Sequence, residues 1–169
     1  MTINVDQSRR NFLRGKKPTI APAFRLPWIT SENAFINDCT KCNDCLSACE
    51  ENIIVKGPDG YPKIDFDQGE CTFCQDCITS CEQTFFKEDK TGQAWPSKFN
   101  IKDNCLAKNN VYCQSCKDAC ESRAISFAYI DSAIPQPQVS QDLCTGCGAC
   151  IKPCPTNSTE LLLFKELNQ

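Results

Sequence analysis

Sixteen cysteines constrain this chain more than any other feature, because they fall in four blocks of four with none left over. The blocks are Cys39, Cys42, Cys45, Cys49; Cys71, Cys74, Cys77, Cys81; Cys105, Cys113, Cys116, Cys120; and Cys144, Cys147, Cys150, Cys154. Their opening cysteines lie 32, 34 and 39 residues apart, an internal repeat with an insertion of five residues in the third unit. The repeat extends beyond the cysteines. An acidic residue stands at or near each opening Cys (Asp38, Glu70, Asp103, Asp142), and a short apolar run follows each closing one: "NIIVKG", "TFFKED", "AISFAYI" and "ELLLFKEL". Turn signals such as "GPDGYP" and "IPQPQ" lead into the next unit. Each unit therefore reads as a cysteine loop, a short helical turn, a strand, a turn, and a second strand running into the next cysteines. The last run, Glu160 to Leu167, has helical propensity, but its place in the repeat makes it a strand.

Blocks one, two and four have the form C-x₂-C-x₂-C-x₃-C, the run of bacterial ferredoxins. Three thiolates at three-residue spacing can curl around one compact object, and a cubane cluster needs a fourth ligand from elsewhere. In two-cluster ferredoxins that ligand is the last Cys of the other block, so blocks work in pairs. Four blocks predict four [4Fe-4S] clusters held by all sixteen cysteines. Sequential pairing joins Cys39, Cys42, Cys45 with Cys81, and Cys71, Cys74, Cys77 with Cys49, and repeats the exchange between blocks three and four. Nested pairing, of block one with four and two with three, stays open, because the intervals between blocks barely differ. Disulfides place no demand on a repeated x₂ spacing, and structural zinc commonly uses two C-x₂₋₄-C pairs, which the triplets overshoot.

The expected fold class is α+β: tandem bacterial two-[4Fe-4S] ferredoxin-like modules, at residues 29–98 and 99–169, behind a basic N-terminal tail at 1–28. Clusters also answer a shortage of core. Apolar residues make up 41% of the 169, but roughly 31% once Cys is removed, thin for burial alone to hold the chain together. "CLAKNNVYCQSCKDAC" departs by placing seven residues between Cys105 and Cys113. This block is expected to hold the most accessible or labile cluster; a merely decorated loop is the competing reading.

The chain has no histidine. That excludes His-ligated zinc, Rieske-type clusters, His-bound haem and any Ser-His or Cys-His nucleophile. With the cysteines spent as ligands, no catalytic residues are expected and the protein is not an enzyme in its own right. The body has the wrong charge for a nucleic-acid surface: residues 1–28 carry a local charge of +5, and the remainder is strongly acidic within a net −3. No run approaches the roughly 18 apolar residues of a membrane span, though the tail could touch a membrane surface weakly.

The tail opens with "SRRNFLRGKK", which has the twin arginines of an export signal. It lacks the signal's apolar carrier, since "TIAPAF" is short and broken by Pro22. Sixteen reduced thiolates also belong in a reducing compartment. The segment is therefore expected to be retained, with the protein in the cytoplasm and Arg9 and Arg10 touching the machinery that handles an exported partner. "RLPW", at Arg25–Trp28, is the tail's best docking element, but packing of Trp28 onto the protein's own first module is the preferred reading of that residue.

These residues resemble the NapF family, ferredoxin-type accessory proteins of the periplasmic nitrate reductase system. The likeness rests on "SRRNFLRG", "RLPW", "CTKCNDCLSACEENI", "GYPKIDF", the gapped third block and "PQPQVSQDLCTGCGAC", and covers nearly the whole chain. In the general ferredoxin run Pro follows the fourth Cys; here only Cys154 is so followed, while Cys49, Cys81 and Cys120 precede Glu. The resemblance implies a cytoplasmic iron-sulfur protein that contacts the catalytic subunit of periplasmic nitrate reductase before export and assists its maturation. Contact with the twin-arginine export or maturation machinery is a further implied partnership. A general one-electron carrier between redox enzymes is the alternative.

Overall fold

The computed structural model describes residues 23–164. Arg9, Arg10 and the twin-arginine motif lie outside the described residues. The elements, in chain order, are α1 (Glu32–Asp38), α2 (Asp44–Ala48), β1 (Ile54–Lys56), β2 (Pro62–Ile64), α3 (Asp76–Thr79), β3 (Ser97–Ile101), α4 (Ser115–Asp118), β4 (Ile125–Ala128), β5 (Gln136–Val139), a 3₁₀ turn at Gln141–Leu143, and β6 (Thr159–Leu163). The elements are short because cysteine loops interrupt them at every repeat. The terminal run is a strand as far as it is described.

Each half follows one plan. A hairpin follows the first cysteine block of each half: β1 pairs antiparallel with β2 through Ile54↔Ile64, and β4 with β5 through Ile125↔Val139. A second pairing joins the start of each half to its end. In the second half this is β3 against β6, in register from Ser97↔Leu163 to Ile101↔Thr159. In the first half it shrinks to the bridge Ile29↔Phe86, flanked by Thr30 N–H on Phe85 O at 2.8 Å and Lys87 N–H on Trp28 O at 2.7 Å. Residues 28–30 thus stand where β3 stands in the second half. The strand β3 crosses the 98/99 division expected from the sequence.

α1 begins at Ser31, whose hydroxyl caps the Ala34 N–H at 3.1 Å with Glu32 in the first turn, where a negative charge suits the helix dipole. It delivers fully buried Phe35 to the core and ends at Cys39. Phe35 packs edge-on against Phe85, with ring centres 5.2 Å apart. Where the two halves meet, a second aromatic cluster takes over: Phe24 and Trp95 both lie edge-on to Phe66, at 5.5 and 5.7 Å, and Phe73 bridges Trp95 to Trp28. Edge-to-face pairs add to the stabilisation from burial itself.

Candidate cluster-binding sites

The cysteine triplets curl because of two left-handed residues placed alike in each. Lys41 and Asn43 (φ 60° and 71°) flank Cys42; Phe73 and Gln75 (59° and 70°) flank Cys74; Gly146 and Gly148 (77° and 83°) flank Cys147. A left-handed residue on each side of the middle Cys turns the chain back on itself, so the thiols face inward. Only glycine takes this conformation without steric cost, so blocks one and two hold it under local strain. A short helical turn carries the third Cys of blocks one, two and three, Cys45 on α2, Cys77 on α3 and Cys116 on α4, while Cys150 of block four sits in a plain turn.

The thiols gather in four groups. Cys45 lies among Cys39, Cys42 and Cys81, the first site. Cys77 shares one cavity with Cys71, Cys74 and Cys49, the second, with Cys45 of the first site close by. The third site is Cys116 with Cys105, Cys113 and Cys154, and the fourth is Cys150 with Cys144, Cys147 and Cys120 around one cavity, with Cys116 of the third close by. Each group takes three thiols from one block and the closing Cys of its sequential neighbour. This is the sequential exchange; nested pairing has no counterpart among these groups.

The second, fourth and first groups each line a small cavity with predominantly apolar walls. Among the described residues no three cysteines or carboxylates converge on one ion. A single zinc draws its thiolates to about 2.3 Å from a point, whereas a cubane gives each thiolate its own iron and keeps them apart. Four thiols around one cavity are a donor set that fits the multi-iron group.

Burial pushes the Cys45 and Cys77 thiols up to about 12 and Cys71 and Cys116 to about 11, with neighbouring thiols adding to the effect. Burial raises Cys150, Cys81 and Cys144 as well. Such thiols stay protonated until a metal takes the proton's place, so loading a site releases protons. Cys154 is the exception. Burial pushes it up too, but the Ser158 hydroxyl and the N–H groups of Thr156, Ser158 and Thr159 outweigh this and bring it down to about 6. Its Sγ lies 3.2 Å from both the backbone nitrogen and the hydroxyl of Ser158, a residue only 2% exposed.

The profile of the 4Fe-4S dicluster domain matches the chain twice, over residues 38–84 and 111–158. The ferredoxin-type protein NapF of Escherichia coli K12 is 41% identical over 156 residues, spanning 92% of this chain and 94% of that protein. The ferredoxin-type protein NapF of Haemophilus influenzae is 42% identical over 169 residues, spanning 94% and 95%. The chain belongs to the NapF family of ferredoxin-type proteins. It carries the ferredoxin α+β fold twice and is an iron-sulfur protein, as the spacing alone indicated.

Two expectations about this NapF-family chain are corrected. Arg25, read as part of a docking element in a basic tail, is 2% exposed and belongs to the first module's core, as does Trp28 at 5%, in line with the packing reading of that residue. The Arg25 guanidinium is held by Asp59 at 2.6 Å, Glu32 at 2.9 Å and the Pro62 carbonyl at 3.3 Å, and lies over the rings of Phe35 and Tyr61. Trp28 donates its indole N–H to Gly92 O at 2.9 Å. Neither side chain is available to a partner in this fold.

The third site, expected to be the most accessible, is the best covered. Cys105, Cys116 and Cys154 are all buried, whereas Cys42 of the first site and Cys74 of the second are exposed. The seven-residue loop between Cys105 and Cys113 is an ordered cap. Asn109 donates to the carbonyls of Asp103 and Cys105 at 2.6 and 2.8 Å, Lys108 to Ile101 O at 2.6 Å, and Gln136 reaches fully buried Ala107 at its carbonyl, 2.9 Å away.

Sequence reasoning missed the hydroxyls that meet cysteine sulfur in the second half: Ser115 on Cys113, Ser122 on Cys120, and Thr156 and Ser158 on Cys154. The signal was present, a Ser or Thr two residues after each of these cysteines. Cys49 and Cys81 of the first half have Glu51 and Gln83 at that position.

Proposed function

We propose that the sixteen cysteines hold four [4Fe-4S] clusters, one in each thiol group, in two ferredoxin modules whose division falls before Ser97. The reading rests on one observation: each group combines a triplet with the closing Cys of its paired block. When bound, the clusters supply one-electron chemistry; the chain's own residues hold the thiols inward, wall them with apolar side chains and cap the third site. Catalytic residues are not part of this reading.

The role that fits is an accessory one in the periplasmic nitrate reductase system. The protein binds the catalytic subunit of that enzyme in the cytoplasm and assists its maturation, by cluster or electron supply, before export. Family membership over nearly the whole chain supports this, and among the described residues no helix is long and apolar enough to cross a membrane. With Arg25 and Trp28 committed to the core, Arg9 and Arg10 are the tail residues assigned to partner or export-machinery contact.

Anaerobic purification with iron, sulfide and visible absorbance tests the clusters, and about sixteen irons per chain are expected. Co-purification with the apo catalytic subunit, followed by restoration of that subunit's cluster, tests the role. A colourless protein without iron overturns the first reading, and failure of any physical contact overturns the second.

A further inference from the structure

Within each module the paired sites are tied by their helical turns, since α2 leads from Cys45 of the first site to Cys49 of the second, and α3 from Cys77 back to Cys81. In the second half α4 does the same between Cys116 and Cys120. The contact that joins the modules is of another kind. The Cys71 N–H donates to the Cys147 carbonyl at 2.8 Å. One residue is a thiol of the second site and the other a thiol of the fourth.

We propose that Cys71 and Cys147 couple the two modules, setting the four cluster sites in one series in the order first, second, fourth, third. The inference rests on the cluster reading above and extends it. The order in space is not the order in sequence, and the ends of the series are the first site, with exposed Cys42, and the third, beneath the Asn109 cap.

The surroundings show that this approach is built into the chain. Gly148, next to Cys147, lies so close to module one that a Cβ there would stand 2.1 Å from the Phe66 ring. It also has φ 83°, so two independent constraints require glycine. Lys152 reaches across to donate to the Gln68 carbonyl at 2.7 Å, between Phe66 and Cys71. Trp95, edge-on to Phe66 at 5.7 Å, would lie 3.9 Å from a Cβ at Gly146. Block four is thus seated on the segment that leads into block two. One-electron exchange falls off steeply with separation, and a direct main-chain hydrogen bond between two ligand residues is a short route. Coupling through it makes and breaks no bond and moves no proton.

The test reads magnetism and not activity. Anaerobic holoprotein is assayed for iron and sulfide, fully reduced with dithionite as one-electron donor, and examined by electron paramagnetic resonance. The wild-type spectrum is expected to show interaction among all four spins. Phe66→Trp, which enlarges the ring that block four rests on and leaves every residue of the cysteine loops in place, is expected to keep its iron and collapse the spectrum to two independent pairs. Lys152→Ala, which removes the latch without adding bulk, is expected to weaken the coupling between the pairs. A wild-type spectrum reproduced by two independent pairs, or coupling unchanged in both variants, overturns the inference and leaves the cluster reading standing. Protein without iron overturns the cluster reading itself, and the inference with it.

Discussion

Replacing Arg25 by Ala separates a structural role from a docking one. In the fold the guanidinium is 2% exposed and answers two carboxylates, Asp59 and Glu32, that are themselves 20% and 32% exposed. Breaking a buried ion pair by removing one partner costs about 3–5 kcal/mol, because the other charge is left buried. Here water can reach both carboxylates once Arg25 is gone, so the lower end applies, about 3 kcal/mol. For a domain of this size 1 kcal/mol moves Tm by roughly 2–4 °C, so the variant should melt on the order of 6–12 °C lower. Holoprotein melting, followed anaerobically by circular dichroism at one scan rate, measures it. Burial alone would lower the Arg25 pKa, but the bonds to Asp59 and Glu32 reverse this and raise it. Burial pushes the Asp59 carboxyl up, and Arg25 with the Tyr61 N–H outweighs it, holding the group below its ordinary 3.8. The raised cation contributes stability that is lost only at strongly alkaline pH. The depressed acid contributes stability that is lost only as pH falls below the ordinary carboxylate range. Between about pH 5 and 9 the gap between the two proteins should therefore stay flat. A Tm within a degree of wild type, or a gap that titrates inside this window, would sink the structural role of Arg25.

Other variants probe the corrected and the missed residues. Trp95→Phe removes an indole N–H that meets the buried Arg25 carbonyl at 2.9 Å and should cost about 1–3 kcal/mol by urea unfolding; an unchanged midpoint would count against this bond. Asn109→Ala unpins the cap over the third site and should speed iron release to a chelator there, while iron loss at the rate of wild type would mean that the cap protects nothing. Ser158→Ala removes a donor to the Cys154 sulfur and should make the third site's potential more negative in a redox titration, since hydrogen bonds to sulfur favour the reduced cluster; a shift the other way would contradict the assignment. Tyr112→Ser, at a side chain 65% exposed, should leave stability within about 0.5 kcal/mol of wild type.

The cysteine repeat made the fold legible because thiol spacing is local. Which triplet curls, and where the helical turn follows, are settled within ten residues of sequence. The exchange of closing cysteines was legible only as a choice between two patterns, because it depends on which loops meet in space. Arg25 was misread for the same reason. Its partners Glu32 and Asp59 lie 7 and 34 residues away, and in sequence a lone arginine among tail cations looks like one more of them. Yet the repeat held the correction. A strand-like run precedes blocks two, three and four, at "GYPKIDF", "SKFNI" and "PQPQV", and the same rule before block one points to "RLPWITS". Applied to its own first unit, the repeat moves Trp28 from the tail into a module.

The two halves also differ in a way that bears on the series of sites. The first module presents the exposed thiols Cys42 and Cys74; the second buries half of its thiols, exposes none, and adds Ser115, Ser122, Thr156 and Ser158 around their sulfurs. Hydrogen bonds to sulfur raise a cluster's potential and loss of solvent lowers it, so the second module combines two opposing influences. At the third site the hydroxyl count is highest, with donors on both Cys113 and Cys154, and Cys154 is drawn down to about 6 against its burial. With three hydroxyls and the Ser158 N–H at the sulfurs of this one site, hydrogen bonding should outweigh burial for the charge on a bound cluster. The third site is then the low point of the series, and an electron entering at the exposed end comes to rest beneath the Asn109 cap. Site-resolved redox titration should find the third site the first to be reduced; finding it the last would reverse the direction.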